Sequence, residues 1–360
     1  MQFKTHINKL VRIQTSENRD IKKGVLLDRN ERVENFDEGT YKKILKSISR
    51  YSINATPDIQ DLYKLLSKTF KINKKNIYIG QGITELMSQI IFSLVKKNEE
   101  VILMDPTYPM YDVWCKLHGV KYKKWKFNKD YKLDTRDLKK IINKKTKILF
   151  IVNPNLPIEY ELNSKQKKEV YSICKKNKTI LVYDEAYYHF GSKSEIKNSL
   201  NKDIIVMRTF SKAWGLPSIR LGFLVTNKKL RDYLSKCRSL VETNALSFQI
   251  AMWALKNKTI LKQHVNQIKR GSKYLTKEFK KISQPYIGGK VTNAMLVKLK
   301  SPKEVTNLKK FMENRKIYIR TNFKNQIENF FRISLGSERK MKIFFNAFLK
   351  WKLFNDRSNK

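Results

Sequence analysis

Acidic residues are scarce. The 360-residue chain carries 32 Asp and Glu against 76 Lys and Arg, a formal net charge of +44. Such an excess attracts polyanions without selectivity. The lysines are nevertheless scattered in pairs such as Lys42-Lys43, Lys74-Lys75 and Lys123-Lys124, and no block of six like charges forms a binding arm. No zinc-finger spacing and no aromatic-interleaved RNA-binding box accompanies them, so no specific nucleic-acid partner is expected. Cysteine is nearly absent: Cys115, Cys174 and Cys237 are odd in number, far apart and without a C-x-x-C. That excludes a disulfide framework and a cysteine zinc site, and fits a reducing compartment. Four dispersed histidines, His6, His118, His189 and His264, give no metal cluster. No run approaches the ~20 uncharged apolar residues of a membrane helix, and the first residues have no apolar region of a signal peptide. The expectation is a cytoplasmic protein with no membrane partner. Hydrophobic residues at 41% supply enough apolar surface for a real core despite the charge.

From about residue 77 to 225 apolar runs alternate with helical patterns. Runs at 76–79, 101–104, 147–152, 180–183 and 204–207 are continuous rather than alternating, which marks parallel strands buried on both faces. Helical patterns lie between them at 85–95, 108–117, 134–143 and 164–176. This order predicts an α/β fold with a mostly parallel sheet. After about residue 226, amphipathic helices at 228–239, 246–256 and 260–282 precede short strands and a last helix at 338–351, which reads as a smaller α+β domain. The expected division is an N-terminal arm, 1–40, packing on the small domain; a large α/β domain, 41–226; and a small C-terminal domain, 227–360.

The most informative segment follows the run at 204–207. It places Lys212 in a loop, with Ser211 directly before it and Arg220 eight residues later. A loop lysine there is poised to form a Schiff base, and the hydroxyl and guanidinium are available to a phosphate. Asp184 ends another apolar run within Asp184-Glu185-Ala186-Tyr187, and Gly80-Gln81-Gly82-Ile83-Thr84 joins a strand to a helix whose free N–H groups suit a phosphate. The stretch Ser211 to Gly222 resembles the S-K-x-x-G-L-x-x-x-R-x-G motif of fold-type-I pyridoxal-phosphate enzymes. Within these it is similar to the class I/II aminotransferases, and among them to the histidinol-phosphate aminotransferase family. Further matches follow in the family's order. They are Asp184 to Tyr187 (D-E-A-Y), Pro106-Thr107-Tyr108-Pro109-Met110-Tyr111 (P-T-Y-x-x-Y), Arg332-Ile333-Ser334-Leu335-Gly336 (R-I-S-x-G), Asn30-Glu31, and Arg50-Tyr51 with Ser52 in place of the usual proline.

The resemblance spans about residues 27 to 351. It implies a fold-type-I transferase with a seven-stranded large-domain sheet, a homodimer, and pyridoxal 5′-phosphate as cofactor. Lys212 would hold the cofactor covalently and move the substrate's proton, with Asp184 facing the ring nitrogen and Tyr187 the phenolic oxygen. Gly82, Ile83, Thr84, Thr209, Ser211 and Arg220 would hold the phosphate, Tyr51 would reach the phosphate of a neighbouring subunit, and Tyr108 would stack on the ring. Arg332, Arg320 and Asn30 would bind substrate. The family's Asn-Pro-Asn-Asn-Pro-Thr-Gly turn stands here as Asn153-Pro154-Asn155-Leu156-Pro157-Ile158-Glu159. Leu156 cannot make the hydrogen bond of the asparagine it replaces, and Asn155 is the remaining candidate to serve the cofactor. The implied reaction is amino transfer between an amino acid or amino-phosphate compound and a 2-oxo acid. The alternatives are decarboxylation of a phosphorylated amino acid, a pyridoxal-phosphate-binding protein of reduced activity because of Leu156, and, on charge alone, a polyanion binder.

Overall fold

The computed structural model describes residues 5–8, 10 and 19–358, so the beginning of the expected N-terminal arm lies largely outside the described residues. Among the described residues twelve strands follow one another: β1 Val25–Leu26, β2 Ile77–Gly80, β3 Glu100–Asp105, β4 Lys121–Lys126, β5 Thr146–Val152, β6 Ile180–Asp184, β7 Ile204–Thr209, β8 Gly222–Val225, β9 Tyr286–Gly288, β10 Ala294–Lys298, β11 Ile317–Tyr318 and β12 Phe330–Ser334.

Seven of them form one sheet in the order β2-β8-β7-β6-β5-β3-β4. All pairings are parallel except those of β8, which runs antiparallel to both β2 and β7. Four of the five apolar runs are central strands, and the fifth is the edge strand β2; they are apolar throughout because both sheet faces are covered: Ile148, Leu149, Phe150 and Ile151 of β5 are all buried. Two strands of this sheet escaped the sequence pattern. β4, Lys121-Tyr122-Lys123-Lys124-Trp125-Lys126, is a lysine-rich edge strand anchored by the buried Trp125 ring, whose Nε1 donates to the Asp134 carbonyl at 2.8 Å. Charged residues on an edge strand discourage pairing with another chain, and they also erase the apolar signature. β8 is only four residues long and follows its neighbour through the loop 210–221 that carries Lys212.

A second layer system contains the antiparallel sheet β12-β10-β9 and the helices Thr259–Lys281, Pro302–Glu313 and Glu338–Ser358. Its core is aromatic, with Phe331, Phe344 and Phe348 mutually in contact at ring-centroid distances of 5.9 to 6.2 Å. The segment around β1 belongs to it physically: β1 pairs in parallel with β11, and the Ser334 amide donates to the Leu27 carbonyl at 2.7 Å. Among the described residues no helix is long and apolar enough to cross a membrane.

Candidate active site

The six mutually parallel strands of the large sheet end on one edge, and there the predicted residues converge. Gly80 ends β2, Asp105 ends β3, Val152 ends β5, Asp184 ends β6 and Thr209 ends β7. Open α/β sheets bind ligands at this edge because the loops after the strands all open there. The Lys212 loop is pinned on both sides. Phe210 N donates to the Leu221 carbonyl at 3.1 Å, and His264 Nδ1 lies 2.8 Å from the Ala213 carbonyl, so that nitrogen carries the proton. Gly215 has φ +69, and a Cβ there would meet Arg32 at 3.0 Å and His264 at 3.2 Å.

Lys212 Nζ donates to the Asn30 carbonyl at 3.1 Å. Burial, and then the positive charge of Arg332, lower its pKa to about 8, while Glu31 and Asp184 pull the other way. The buried Asp184 accepts hydrogen bonds from Tyr111 Oη at 3.0 Å and the Ala186 amide at 2.9 Å, but no cation pairs with it among the described residues. Burial therefore raises its pKa to about 6. Tyr187 Oη accepts from Asn30 Nδ2 at 3.1 Å, and burial raises its pKa to about 12. Lys212 Nζ lies 5.8 Å from the centre of the Tyr187 ring.

Two residues expected at the site, Asn30 for substrate and Asn155 for cofactor, are engaged by the protein itself. Asn30 was given to the substrate. Its side chain is instead committed to the protein, donating to Tyr187 and lying 3.3 Å from Ser334 Oγ, while its backbone, at φ +54, offers the carbonyl to Lys212. Asn155 was given to the cofactor. It is fully buried with its amide spent on its own surroundings: Oδ1 accepts from Thr107 Oγ1 at 2.6 Å, and Nδ2 donates to the carbonyls of Pro106 at 3.1 Å and Ile158 at 3.0 Å. A buried amide with all three bonds made cannot turn to a ligand without leaving polar groups unpaired.

The phosphate-binding expectation meets a cradle built from glycine. Gly82, at φ +81, precedes the helix Ile83–Leu94, and a Cβ there would stand 3.1 Å from Arg220 Nη2. Gly222 is equally constrained, since a Cβ on it would meet the Arg208 carbonyl at 2.8 Å and Gly82 Cα at 3.0 Å. The first-turn amides of Ile83 and Thr84, the Arg220 guanidinium and the Ser211 hydroxyl remain available to an anion. Thr209 serves the loop, its Oγ1 accepting from the Ser211 amide at 3.0 Å. An uncompensated buried carboxylate, a hydroxyl near it, a lysine of lowered pKa and this anion cradle are together the donor set that pyridoxal phosphate requires.

Arg332 Nη2 donates to the Asp28 carbonyl at 2.8 Å, yet its buried Nε has no partner. Burial lowers its pKa to about 10, and the like charge of Arg320 adds to the effect. The backbones of Arg320 and Arg332 pair with each other, at 2.9 and 2.7 Å. The Asp28 carboxylate is taken up by Arg19 at 3.1 Å and Arg29 at 3.6 Å. Two guanidinium groups thus sit side by side, and among the described residues no carboxylate is in ion-pair contact with either. Tyr108, 44% exposed, lies within electrostatic range of both Tyr187 and Arg332. Tyr51 is not brought to this site. It is 58% exposed and hydrogen-bonded through Oη to Arg50 at 3.1 Å.

The family model called Aminotransferase class I and II matches residues 34–348. The chain belongs to this family. It is a pyridoxal-phosphate-dependent aminotransferase. It is 28% identical over 330 residues to the histidinol-phosphate aminotransferase of Clostridium kluyveri, covering 91% of this chain and 92% of that one. It is 31% identical over 279 residues to the histidinol-phosphate aminotransferase of a Thermoanaerobacter species, covering 76% and 78%. Among solved structures, the histidinol-phosphate aminotransferase of Sinorhizobium meliloti in complex with pyridoxal-5′-phosphate superposes with a TM-score of 0.81 at 21% identity, over 91% of this chain and 90% of that one, a likeness of fold. The match favours amino transfer over the decarboxylase, the cofactor-binding protein of reduced activity and the polyanion binder.

Sequence reasoning missed Tyr111, the second tyrosine of the P-T-Y-x-x-Y stretch, which holds Asp184 in this aminotransferase. Its place in that stretch was the available signal. It also missed Asn293, whose Nδ2 lies 3.3 Å from the Asn30 carbonyl and which no local pattern marks. Leu156 is 6% exposed and belongs to the apolar cluster that includes Tyr187, Phe190 and Ala213. Leu156→Asn should therefore bury an unpartnered amide. We expect a loss of roughly 1–3 kcal/mol of stability, read by denaturant titration, with no gain in cofactor affinity. Tighter cofactor binding would show that position 156 faces the ring.

Proposed function

We propose that this aminotransferase exchanges an amino group between an amine bearing a carboxylate or phosphate and a 2-oxo acid, with histidinol phosphate as the leading donor. One observation carries the substrate class: the adjacent guanidinium groups of Arg332 and Arg320, which among the described residues meet no carboxylate, the former with an unpaired buried Nε. Half-buried cations without a counter-charge favour an anionic ligand. The printed names of the relatives supply the specific donor.

The residues divide the work. Lys212 Nζ would hold the cofactor and would take the proton from the substrate's Cα. Asp184 holds a proton on the ring nitrogen, with Tyr111 fixing the carboxylate. Tyr187 orients the ring through its phenolic oxygen, and Asn30 aligns both Tyr187 and Lys212. Gly82, Ile83, Thr84, Ser211 and Arg220 bind the phosphate, Thr209 shapes their loop, and Tyr108 covers the ring. When bound, the cofactor supplies an electron-accepting ring for the pair left on Cα. The working unit is a cytoplasmic homodimer in which Tyr51 reaches the second site. The exposure of Tyr51, Ile53 and Leu240 supports a covering copy. The division into an arm, 1–40, and domains 41–226 and 227–360 completes the reading.

The test is a donor screen with 2-oxoglutarate as acceptor, read by mass spectrometry. Transamination of histidinol phosphate or a similar anionic amine is expected, and release of carbon dioxide would overturn the reading. Arg332→Leu should lower kcat/KM by roughly one to two decades, the worth of a charge-assisted hydrogen bond of about 1.5–3 kcal/mol. An unchanged kcat/KM would place the substrate anion elsewhere.

A further inference from the structure

Glu159 closes the turn after β5, on the large-sheet side, and its carboxylate crosses to the loop between β9 and β10. Oε1 accepts from the Lys290 amide at 3.0 Å, and Oε2 from the Val291 amide at 3.1 Å and from Thr292 Oγ1 at 2.6 Å. No cation pairs with it among the described residues. Its partners are successive main-chain N–H groups and one hydroxyl, a nest that suits a carboxylate. Burial raises its pKa while these hydrogen bonds oppose the rise. Gly288, at φ +102, gives the side chain room: a Cβ there would meet Glu159 Cβ at 3.3 Å.

The loop so held runs directly into Asn293, which is fully buried. Asn293 Nδ2 reaches the Asn30 carbonyl at 3.3 Å, the same oxygen that accepts Lys212 Nζ at 3.1 Å. We infer that Glu159 is a positioning residue: it latches the loop 290–292 to the turn 153–160 and so sets Asn293 and the Asn30 carbonyl that receives Lys212. The position is glycine in the turn that this segment otherwise resembles, so the latch belongs to this chain's own sequence. Its link to catalysis rests on the assignment of Lys212 above; the latch itself does not.

Two measurements on the full-length protein test it, neither requiring an amino donor. One is backbone hydrogen exchange at Lys290 and Val291. The other is the rate at which borohydride fixes added pyridoxal phosphate on Lys212. In Glu159→Ala both amides should exchange about tenfold faster or more, as a lost charge-assisted bond dictates. Fixation should slow about tenfold, the cost of a misplaced reacting group. Glu159→Gln keeps an oxygen for Val291 and Thr292 and should recover the protection of the Val291 amide and most of the fixation rate, while the Lys290 amide, left facing the new side-chain nitrogen, stays fast. Thr292→Val, a milder change, should move both in the same direction by less and serves if the alanine variant does not fold. Unchanged exchange in Glu159→Ala overturns the latch, and so does a glutamine variant that recovers neither effect. Faster exchange with undiminished fixation overturns the positioning role. Fixation of the wild type on another lysine would defeat the assignment of Lys212, while the exchange data would still decide the latch.

Discussion

Lys212→Ala should abolish turnover, with kcat lower by about four decades or more, since both the covalent hold and the proton carrier go. Cofactor should still bind, because the cradle of Gly82, Ile83, Thr84 and Arg220 is untouched, but borohydride should fix none of it. Peptide mapping of the reduced wild-type protein should find the label on Lys212, and a label elsewhere would end the assignment. The pH dependence follows from the pKa. A lysine must be neutral to attack an aldehyde, and at about 8 rather than 10.5 roughly a quarter of Lys212 is neutral at pH 7.5, against about one part in a thousand for an ordinary lysine. The rate of cofactor capture should climb with pH and level off above about 8. A climb continuing toward pH 10 would show that the burial around Lys212 does not depress it.

Asp184→Asn should cost roughly two to three decades in kcat, the usual worth of a preorganised group facing charge that develops in the reaction. An amide can still accept from Tyr111, but it cannot hold a proton on the ring nitrogen. The same substitution has an independent signature in the cofactor-free protein. The folded-state pKa of Asp184 is raised from 3.8 to about 6, so the stability it contributes is full below pH ~4 and is lost as pH rises through about 6. The difference of about two units corresponds to about 3 kcal/mol. Relative to wild type, the asparagine variant should therefore become more stable by that order between pH 4 and 7. Urea titrations at both pH values measure it, and a constant difference would mean that Asp184 is already compensated in the protein.

Much of this was legible in the chain itself. Continuous apolar runs declared the buried parallel strands because burial on both faces leaves no place for polar residues, as β5 shows. The Lys212 loop was legible because its roles are local: lysine, hydroxyl, glycine and arginine lie within twelve residues between two adjacent strands. Gly82 was legible because only glycine suits its backbone and the approach of Arg220. β4 was not legible, since an edge strand protected by lysines carries no apolar pattern.

What the tertiary structure alone decided lies in contacts between residues far apart in sequence. Asn30 and Lys212 are 182 positions apart, and only the fold brings the Asn30 carbonyl to Lys212 Nζ. Asn155 looked free in the sequence, yet Thr107 and Pro106 of the loop after β3, with Ile158 of its own turn, engage its amide. Glu159 looked like a departure from a turn motif until the loop at 290–292 met it, 131 to 133 positions later. Side-chain chemistry and local backbone preference are written residue by residue. Whether a polar group is spent inside the protein or left for a ligand depends on which distant segment packs against it, and that is fixed only when both layer systems close over the same edge of the sheet.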